Sequence, residues 1–391
     1  MKGKIMWMSD SPMQVTGFST ISKSILNGMS ARDWQCYFLG HNYIGQTIPP
    51  GLTFEDNYRL NFTVMGNGNQ AYGKDIISHR IKKVKADIFG VLLDTFMMYP
   101  WYGEIDFAPA HTLFYFPSDG GGRLPLGCEM VLQRAEYPVA MSRFAQRQVK
   151  EKHSINSSYI PHGVSCKNFF PMTASEKEAV KARYNLKGKF VVGTVARNQG
   201  RKMLDRTLKA FQIFAKDKPE AVLFIHADAD DAAQVFNMRI LIEDLGLQNR
   251  VFFSGMRWFE GFDYGRMNEV YNLMDIFFLS TSGEGFGIPI IEAAAAGIPS
   301  AVTDYATTQE LLIEDGKCGL PIAIETELTG TWNVERGIMG IPAAVNALNE
   351  LYASKSLREQ LGIVGREKMK LIYDWPVVLD QWDQLFQKVI Q

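Results

Sequence analysis

Short apolar runs alternate along this chain with longer stretches of helical periodicity, and this alternation constrains the fold more than any other feature. A parallel sheet produces such a pattern, because a helical crossover must separate each strand from the next parallel one. The runs at 190–196 and 276–280 carry few charges, as expected for strands covered on both faces. The predicted strands cover residues 5–9, 35–39, 87–93, 112–116, 138–142, 158–161, 190–196, 221–227, 250–255, 276–280 and 299–303.

The length of 391 residues exceeds one ordinary compact domain and predicts two domains of roughly 150–200 residues each. A boundary is indicated within 166–188, where Pro171 and a polar run precede the strand at 190. A second break falls at Asp374-Trp375-Pro376, after which a helical pattern restarts. We therefore predict one domain over residues 1–165 plus 375–391 and a second over residues 166–374.

The stretch after Lys202 predicts a helix that packs on a sheet. Leu204, Leu208, Phe211 and Ala215 recur at helical spacing and form one apolar stripe. The lysines at 209, 216 and 218 lie off that stripe.

Composition narrows the classes of partner and compartment. Lys plus Arg is 41 and Asp plus Glu is 42, so the net charge of -1 gives no reason to expect nucleic acid or an anionic membrane as a partner. The four cysteines form no C-x-x-C pair, which argues against structural zinc and a disulfide framework. The apolar stretch at the N-terminus is too short for a signal peptide, and no segment approaches a membrane span. We expect a cytoplasmic protein.

The segment 280–293 is the strongest candidate site. A predicted strand ends, three glycines follow, and a helix is predicted to start at about Pro289. Glycines let the backbone approach a ligand closely, and N–H groups at a helix start bind anions. Glu284 and Glu292 bracket this start, and carboxylates are good acceptors for paired hydroxyls. A diphosphate with a hydroxylated group at each end fits both features, whereas a plain strand-to-helix turn is the simpler alternative.

A second candidate site follows the strand at 190–196. Arg197, Arg201 and Lys202 place three cations within six residues, and these would repel one another unless an anion lay among them. Arginine can hold phosphate oxygens with two hydrogen bonds, and lysine adds a point charge. Since both candidate sites follow strands of one predicted sheet, we expect them to share a ligand. A solvated basic loop is the alternative.

Three further segments carry local predictions. The loop before Phe18 has a single glycine, Gly17, and does not fit G-x-G-x-x-G, which disfavours a nicotinamide cofactor. The acidic run 228–231 predicts a helix N-cap, with helical periodicity from Ala233 onward, and so no metal site. Thr307 and Glu310 fit a capping box, which predicts a structural role for this helix start.

The segment from Glu284 to Glu292, with seven residues between the glutamates, resembles the signature of retaining glycosyltransferases of family 4, which have the GT-B fold. The resemblance implies an α/β architecture of two Rossmann-like domains whose parallel sheets face a central cleft. It implies that the domain over 166–374 binds the nucleotide sugar and that the other domain lies on the acceptor side. It also places Glu284 by the transferred sugar and Glu292 on the nucleotide ribose.

The same resemblance assigns the remaining candidate residues. It implies that Arg197 and Lys202 bind the donor diphosphate, with Arg201 adjacent, and that Gly17 approaches the donor phosphate and sugar. Family members often carry a histidine near 119 that contacts the sugar or its acceptor; this chain has Asp119, which becomes a candidate catalytic residue. The remaining candidates for donor contact are the loop residues Gly285, Phe286, Gly287 and Ile288.

The function predicted is metal-independent transfer of a sugar from a UDP- or GDP-linked donor to an acceptor hydroxyl, with no cofactor. Glycan, lipid, small-molecule, protein and modified-DNA acceptors all stay open, because one fold serves many acceptors. A nucleotide-sugar epimerase and a non-catalytic nucleotide-sugar-binding protein are the alternatives.

Overall fold

The structure is a computed structural model that describes residues 1–54, 58–257 and 260–391. The chain forms two compact units. Unit 1 comprises Met1–Ser118, Gly122–Gly163 and Trp375–Gln391, and unit 2 comprises Asp119–Gly121 and Val164–Asp374. Each unit alternates strands with helices.

The strands are short, and most of them are four to seven residues long. In chain order they are β1 Lys4–Asp10, β2 Gln35–His41, β3 Thr63–Gly66, β4 Ile88–Leu92, β5 His111–Phe116, β6 Tyr137–Ala140, β7 Ser158–Tyr159, β8 Phe190–Val195, β9 Ala221–His226, β10 Val251–Phe253, β11 Ile276–Leu279, β12 Ser300–Thr303, β13 Gly319–Ile322, β14 Ile324–Thr329 and β15 Glu335–Met339.

Most helices lie between consecutive strands, and the last three follow β15. The helices are α1 Gly17–Ser30, α2 Ile77–Val84, α3 Thr95–Tyr102, α4 Leu126–Arg134, α5 Arg143–His153, α6 Ala174–Arg183, α7 Leu204–Phe214, α8 Met238–Asp244, α9 Tyr264–Asn272, α10 Ile288–Ala295, α11 Thr308–Leu312, α12 Ile341–Ala353, α13 Lys355–Lys368 and α14 Trp375–Val389, with a π-helical turn over Met369–Tyr373.

Each unit has its own parallel sheet. Within the described residues, the seven strands of the unit 1 sheet lie in the order β3-β2-β1-β4-β5-β6-β7, and the six of the unit 2 sheet in the order β10-β9-β8-β11-β12-β13. All pairings within these two sheets are parallel. The α/β class predicted from the alternating pattern is confirmed.

The predicted apolar stripe of α7 lies in the core of unit 2. Leu204, Leu208, Phe211 and Ala215 are all buried, with at most 2% of any of them exposed.

Unit 1 buries β1 in the same way, and Trp7 in that strand packs edge-on against Trp382 of α14 at 5.6 Å between ring centroids. The restarted helical pattern near the C-terminus is therefore a helix docked on unit 1.

Four strands were not predicted from the sequence. β3 and β13 are only four residues long, and β13 contains Pro321. β14 and β15 pair antiparallel as a hairpin. Residues 325–329 of β14 are exposed, so this strand lacks the apolar run by which the other strands are identified.

Candidate functional site

The strand order of the unit 2 sheet reverses between β8 and β11. These two strands are neighbours, with β9 and β10 on one side and β12 and β13 on the other. Ligands of open α/β sheets bind at such a reversal, beside the carboxyl ends of the strands. The segments that follow β8 and β11 meet here, and the backbone N–H of Ser282 donates to the carbonyl of Arg201 at 2.7 Å. The structure thus brings the two predicted sites of unit 2 together.

Glu284 is the centre of a buried charge cluster. Its Oε1 lies 2.5 Å from Nζ of Lys202, and its Oε2 lies 3.3 Å from Nη1 of Arg201. Glu284 is 5% exposed and Lys202 is 6% exposed. Charged residues that lie far apart along the chain therefore share one site, in which Glu284 and Lys202 are buried and the Arg201 side chain is 34% exposed.

The charge cluster shifts the pKa values of its members. Burial by itself would raise the pKa of Glu284, but the charges of Lys202 and Arg201 outweigh burial and lower this pKa to about 2. Burial and the charge of Arg201 lower the pKa of Lys202 to about 8, against the opposing pull of Glu284. At neutral pH the site holds a carboxylate beside two cations.

Asp119 and Arg336 extend this cluster, and no sequence motif indicated Arg336. Oδ2 of Asp119 lies 4.0 Å from Nε of Arg201 and 3.0 Å from Nη1 of Arg336 in β15. Arg336 also donates to the backbone carbonyl of Asp119 at 2.7 Å. β15 contacts the segment after Asp119 and also the residue directly before the glycine loop, which comprises residues 283–287. Gly121 pairs with Glu335, and the N–H of Gly337 donates to the carbonyl of Ser282.

Arg197 binds a different carboxylate. Its Nε lies 2.7 Å from Oδ2 of Asp231 and its Nη2 lies 3.2 Å from Oδ1. The prediction that residues 228–231 cap a helix is wrong, because α8 begins at Met238 and Asn237 caps it. Asp231 is fully buried, and its carboxylate instead orients the half-exposed Arg197 side chain.

The glycine loop, residues 283–287, approaches the backbone of Asp119 closely. A Cβ added to Gly283 would collide with the carbonyl oxygen of Asp119. Gly287 has a φ of +112° and precedes α10, and no side chain caps that helix. Gly285 is partly buried, Phe286 is 3% exposed and packs against Tyr373, and Ile288 is the first residue of α10.

Thr307 forms its side-chain hydrogen bond with the glycine loop and not with α11, the helix that it precedes. The capping-box prediction is wrong, because no side-chain hydrogen bond caps α11. The hydroxyl of Thr307 instead donates to the carbonyl of Phe286 at 2.6 Å. The threonine therefore supports the turn that leads into α10.

Glu292 lies in α10, and its carboxylate accepts a hydrogen bond from the hydroxyl of Tyr271 at 2.7 Å. Burial raises the pKa of Glu292 to about 7, although the Tyr271 hydrogen bond acts in the opposite direction. Tyr271 lies in α9, and no motif of the sequence pointed to it.

Gly17 belongs to unit 1 and is the first residue of α1, in the segment that follows β1. Thr16 caps this helix by accepting from the N–H of Ser19, and its hydroxyl donates to Asp10 at 2.7 Å. Gly17 thus occupies the carboxyl side of a central strand in its own unit.

Residues 176–328, wholly within unit 2, match the family model described as glycosyl transferases group 1. Mannosylfructose-phosphate synthase of Agrobacterium fabrum is 30% identical over 184 residues, which cover 45% of this chain and 38% of that protein. Alpha-monoglucosyldiacylglycerol synthase of Acholeplasma laidlawii is 23% identical over 252 residues, which cover 60% of this chain and 59% of that protein. The chain therefore matches less than two thirds of the length of either relative.

Solved structures match the fold over nearly the whole chain. Sucrose-phosphate synthase from Thermosynechococcus elongatus superimposes with a TM-score of 0.77 at 16% identity and covers 99% of both chains. The HepE protein of Anabaena, solved in complex with UDP and glucose, gives a TM-score of 0.73 at 14% identity over 99% of this chain and 100% of that one. The fold is GT-B. Within that fold, residues 176–328 are similar to glycosyl transferases group 1.

No helix within the described ranges is both long enough and apolar enough to cross a bilayer.

Proposed function

We propose that this protein is a retaining glycosyltransferase of family 4, which transfers a sugar from a UDP- or GDP-linked diphosphate donor to an acceptor hydroxyl. The observation that carries the proposal is the buried contact of Glu284 with Lys202 and Arg201 at the strand-order reversal of unit 2. Glu292 follows one turn inside α10, where it can accept hydrogen bonds from a ribose. The complex of HepE with UDP and glucose supports a nucleotide-sugar ligand.

The charge balance of the cluster suits a diphosphate. Three cations, Arg201, Lys202 and Arg336, face two carboxylates, Asp119 and Glu284, so the cluster keeps one excess positive charge. The start of α10 adds a partial positive charge from its backbone N–H groups. In this proposal these groups neutralise the departing diphosphate, and no metal ion is required.

The proposed reaction proceeds with retention at the anomeric carbon. The bond between that carbon and the diphosphate oxygen breaks, and the diphosphate leaves with the electron pair. The acceptor oxygen then bonds to the same face, and its proton passes to a phosphate oxygen of the leaving group. Lys202, Arg201 and Arg197 stabilise the departing charge, an effect that contributes several kcal/mol at comparable sites.

The other predicted residues complete the proposed donor site. Asp119 is proposed to act beside the transferred sugar, and its 4.0 Å contact with Arg201 supports this proposal. Contacts to the donor are proposed for Gly285, Phe286, Gly287 and Ile288, and the donor contact of Gly17 stays a prediction of the family resemblance.

Thermal-shift measurements with UDP, GDP, ADP, UDP-glucose and GDP-mannose test the proposal. A ligand present at 100 times its dissociation constant adds ~2.7 kcal/mol to the free energy of unfolding, so the matching nucleotide raises the melting temperature by several degrees. The proposal is wrong if none of these nucleotides raises it. NMR of the product formed with an isotopically labelled donor then decides the stereochemistry, and an inverted anomer rejects retention.

A further inference from the structure

Tyr271 contacts Glu292, a predicted site residue, although no sequence motif pointed to this tyrosine. Its hydroxyl lies 2.7 Å from Oε2 of Glu292 and donates to it. Tyr271 is completely buried, and Glu292 is partly buried. The two residues come from different helices, α9 and α10.

The tyrosine ring is fixed by aromatic packing. Phe169 contacts it edge-on at 5.8 Å between ring centroids, and Phe277 of β11 does so at 6.1 Å. Because the ring cannot turn away, its hydroxyl occupies a defined point beside α10. The Glu292 carboxylate therefore has a donor at a fixed position.

Tyr271 is the donor in its hydrogen bond to the ionised Glu292 carboxylate. Burial and the nearby Glu292 charge raise the pKa of Tyr271 well above its usual value, so the phenol stays protonated and can donate. A tyrosine hydroxyl has a single proton to donate, and that proton is directed at Oε2. The carboxylate keeps lone pairs on both oxygens for other donors.

We infer that Tyr271 is a positioning residue for donor binding: it orients Glu292 so that the carboxylate accepts both ribose hydroxyls of the nucleotide. This inference rests on the proposed function, since it requires a nucleotide in the unit 2 site. A carboxylate binds a diol well only when both carboxylate oxygens face the two hydroxyls. Rotation of the Glu292 side chain in the free protein would therefore weaken ribose binding, because the rotation must be lost on binding. The Tyr271 hydrogen bond also lowers the pKa of Glu292 against burial, which favours the ionised acceptor.

The experiment compares Tyr271→Phe with the wild-type protein by isothermal titration calorimetry. The probes are UDP and GDP, each paired with its 2′,3′-dideoxy analogue. Wild type is expected to prefer the ribonucleotide, and Tyr271→Phe is expected to bind it roughly three- to tenfold more weakly, as for the loss of one hydrogen bond. Binding of the dideoxy analogue, which lacks the diol, is expected to change by less than about twofold, because no hydroxyl pair is there to meet the carboxylate.

Tyr352→Phe is the matched control. The Tyr352 hydroxyl also donates to a glutamate, Glu220. Glu220 directly precedes β9 and so lies at the amino end of that strand, whereas the candidate site lies at the carboxyl ends of β8 and β11. This variant is expected to keep the wild-type preference for the ribose.

The outcomes separate this inference from the proposed function. Wild type that binds neither UDP nor GDP overturns the proposed donor site, and the role of Tyr271 with it. Wild type that prefers the ribonucleotide, beside a Tyr271→Phe variant with the same preference, overturns the role of Tyr271 alone. Equal loss of affinity for the ribonucleotide and for its dideoxy analogue in Tyr271→Phe also overturns it. Such a result indicates a general packing defect, because that defect affects both nucleotides alike.

Discussion

The guanidinium of Arg197 is held by Asp231 through two hydrogen bonds, of 2.7 and 3.2 Å. Asp231 is fully buried, whereas the Arg197 side chain is 43% exposed. The buried carboxylate thus fixes a cation that still reaches solvent at the carboxyl side of β8. Such a cation is poised to meet an incoming anion without first being ordered.

Arg197→Ala is expected to lower kcat roughly tenfold or more and to change the donor KM by less than about threefold. The reason is that Arg197 is proposed to stabilise charge that develops only as the diphosphate leaves. Steady-state kinetics with the donor identified by thermal shift provide the measurement. Arg239→Ala is the control, since Arg239 pairs with Asp230 in the same segment but both side chains are well exposed. Full activity in Arg197→Ala would remove this residue from the mechanism.

Activity is expected to fall above about pH 8 as Lys202 loses its proton. Its pKa is lowered to about 8, so the cation that faces the diphosphate is present below that pH and lost above it. Plots of kcat/KM against pH report groups of the free enzyme. Lys202→Arg, which stays charged, is expected to move the alkaline limb upward even if its overall rate is lower. Lys209→Arg, on the exposed face of α7, leaves the limb in place. An unchanged limb in Lys202→Arg would assign it to another group.

Glu292→Gln is expected to stabilise the fold at neutral and alkaline pH. The pKa of Glu292 is raised to about 7, so the folded state holds this proton where the unfolded state has released it. The stability of the wild type therefore falls as pH rises from about 4.5 to 7. Because the Glu292 side chain is only partly buried, the loss is roughly 1–3 kcal/mol. The variant removes this slope, and its advantage is greatest above about pH 7.

Urea unfolding at several pH values measures the effect of Glu292→Gln. Glu359→Gln, an exposed pair with Lys355, is the control and leaves the slope unchanged. The same Glu292→Gln protein is expected to bind the donor nucleotide roughly tenfold more weakly or worse. Unchanged nucleotide affinity would exclude Glu292 from the site.

Gly283→Ala is expected to weaken donor binding while the fold is retained. The added Cβ would collide with the carbonyl oxygen of Asp119, so the backbone on one side of the contact must move. Displacement of this loop also moves Glu284, its neighbour in sequence. Calorimetric titration with the donor nucleotide measures the loss. Gly265→Ala, in the first turn of α9, has no such backbone contact and serves as the control. Wild-type affinity in Gly283→Ala would show that the loop tolerates the shift.

The local sequence predicted the features that depend on neighbours along the chain. The apolar stripe of α7 and the start of α10 beside Pro289 were found because periodicity and turn residues act over a few positions. The hairpin of β14 and β15 was missed because its exposed strand has no apolar pattern. Arg336 of this hairpin was recognised as a site residue only from its contact with Asp119, which lies far away along the chain.

The amino-acid sequence by itself determined the alternation of strands and helices, the glycine loop, and which charged residues follow the central strands of unit 2. The tertiary structure alone decided how those charges pair. Sequence reasoning placed Arg197 and Lys202 on one anion, and that remains a prediction. The side-chain partners came from the structure: Arg197 pairs with Asp231, Lys202 with Glu284, and Tyr271 donates to Glu292. The physical reason is that a side-chain pairing depends on which loops the strand order brings together, and residue spacing along the chain does not encode that order.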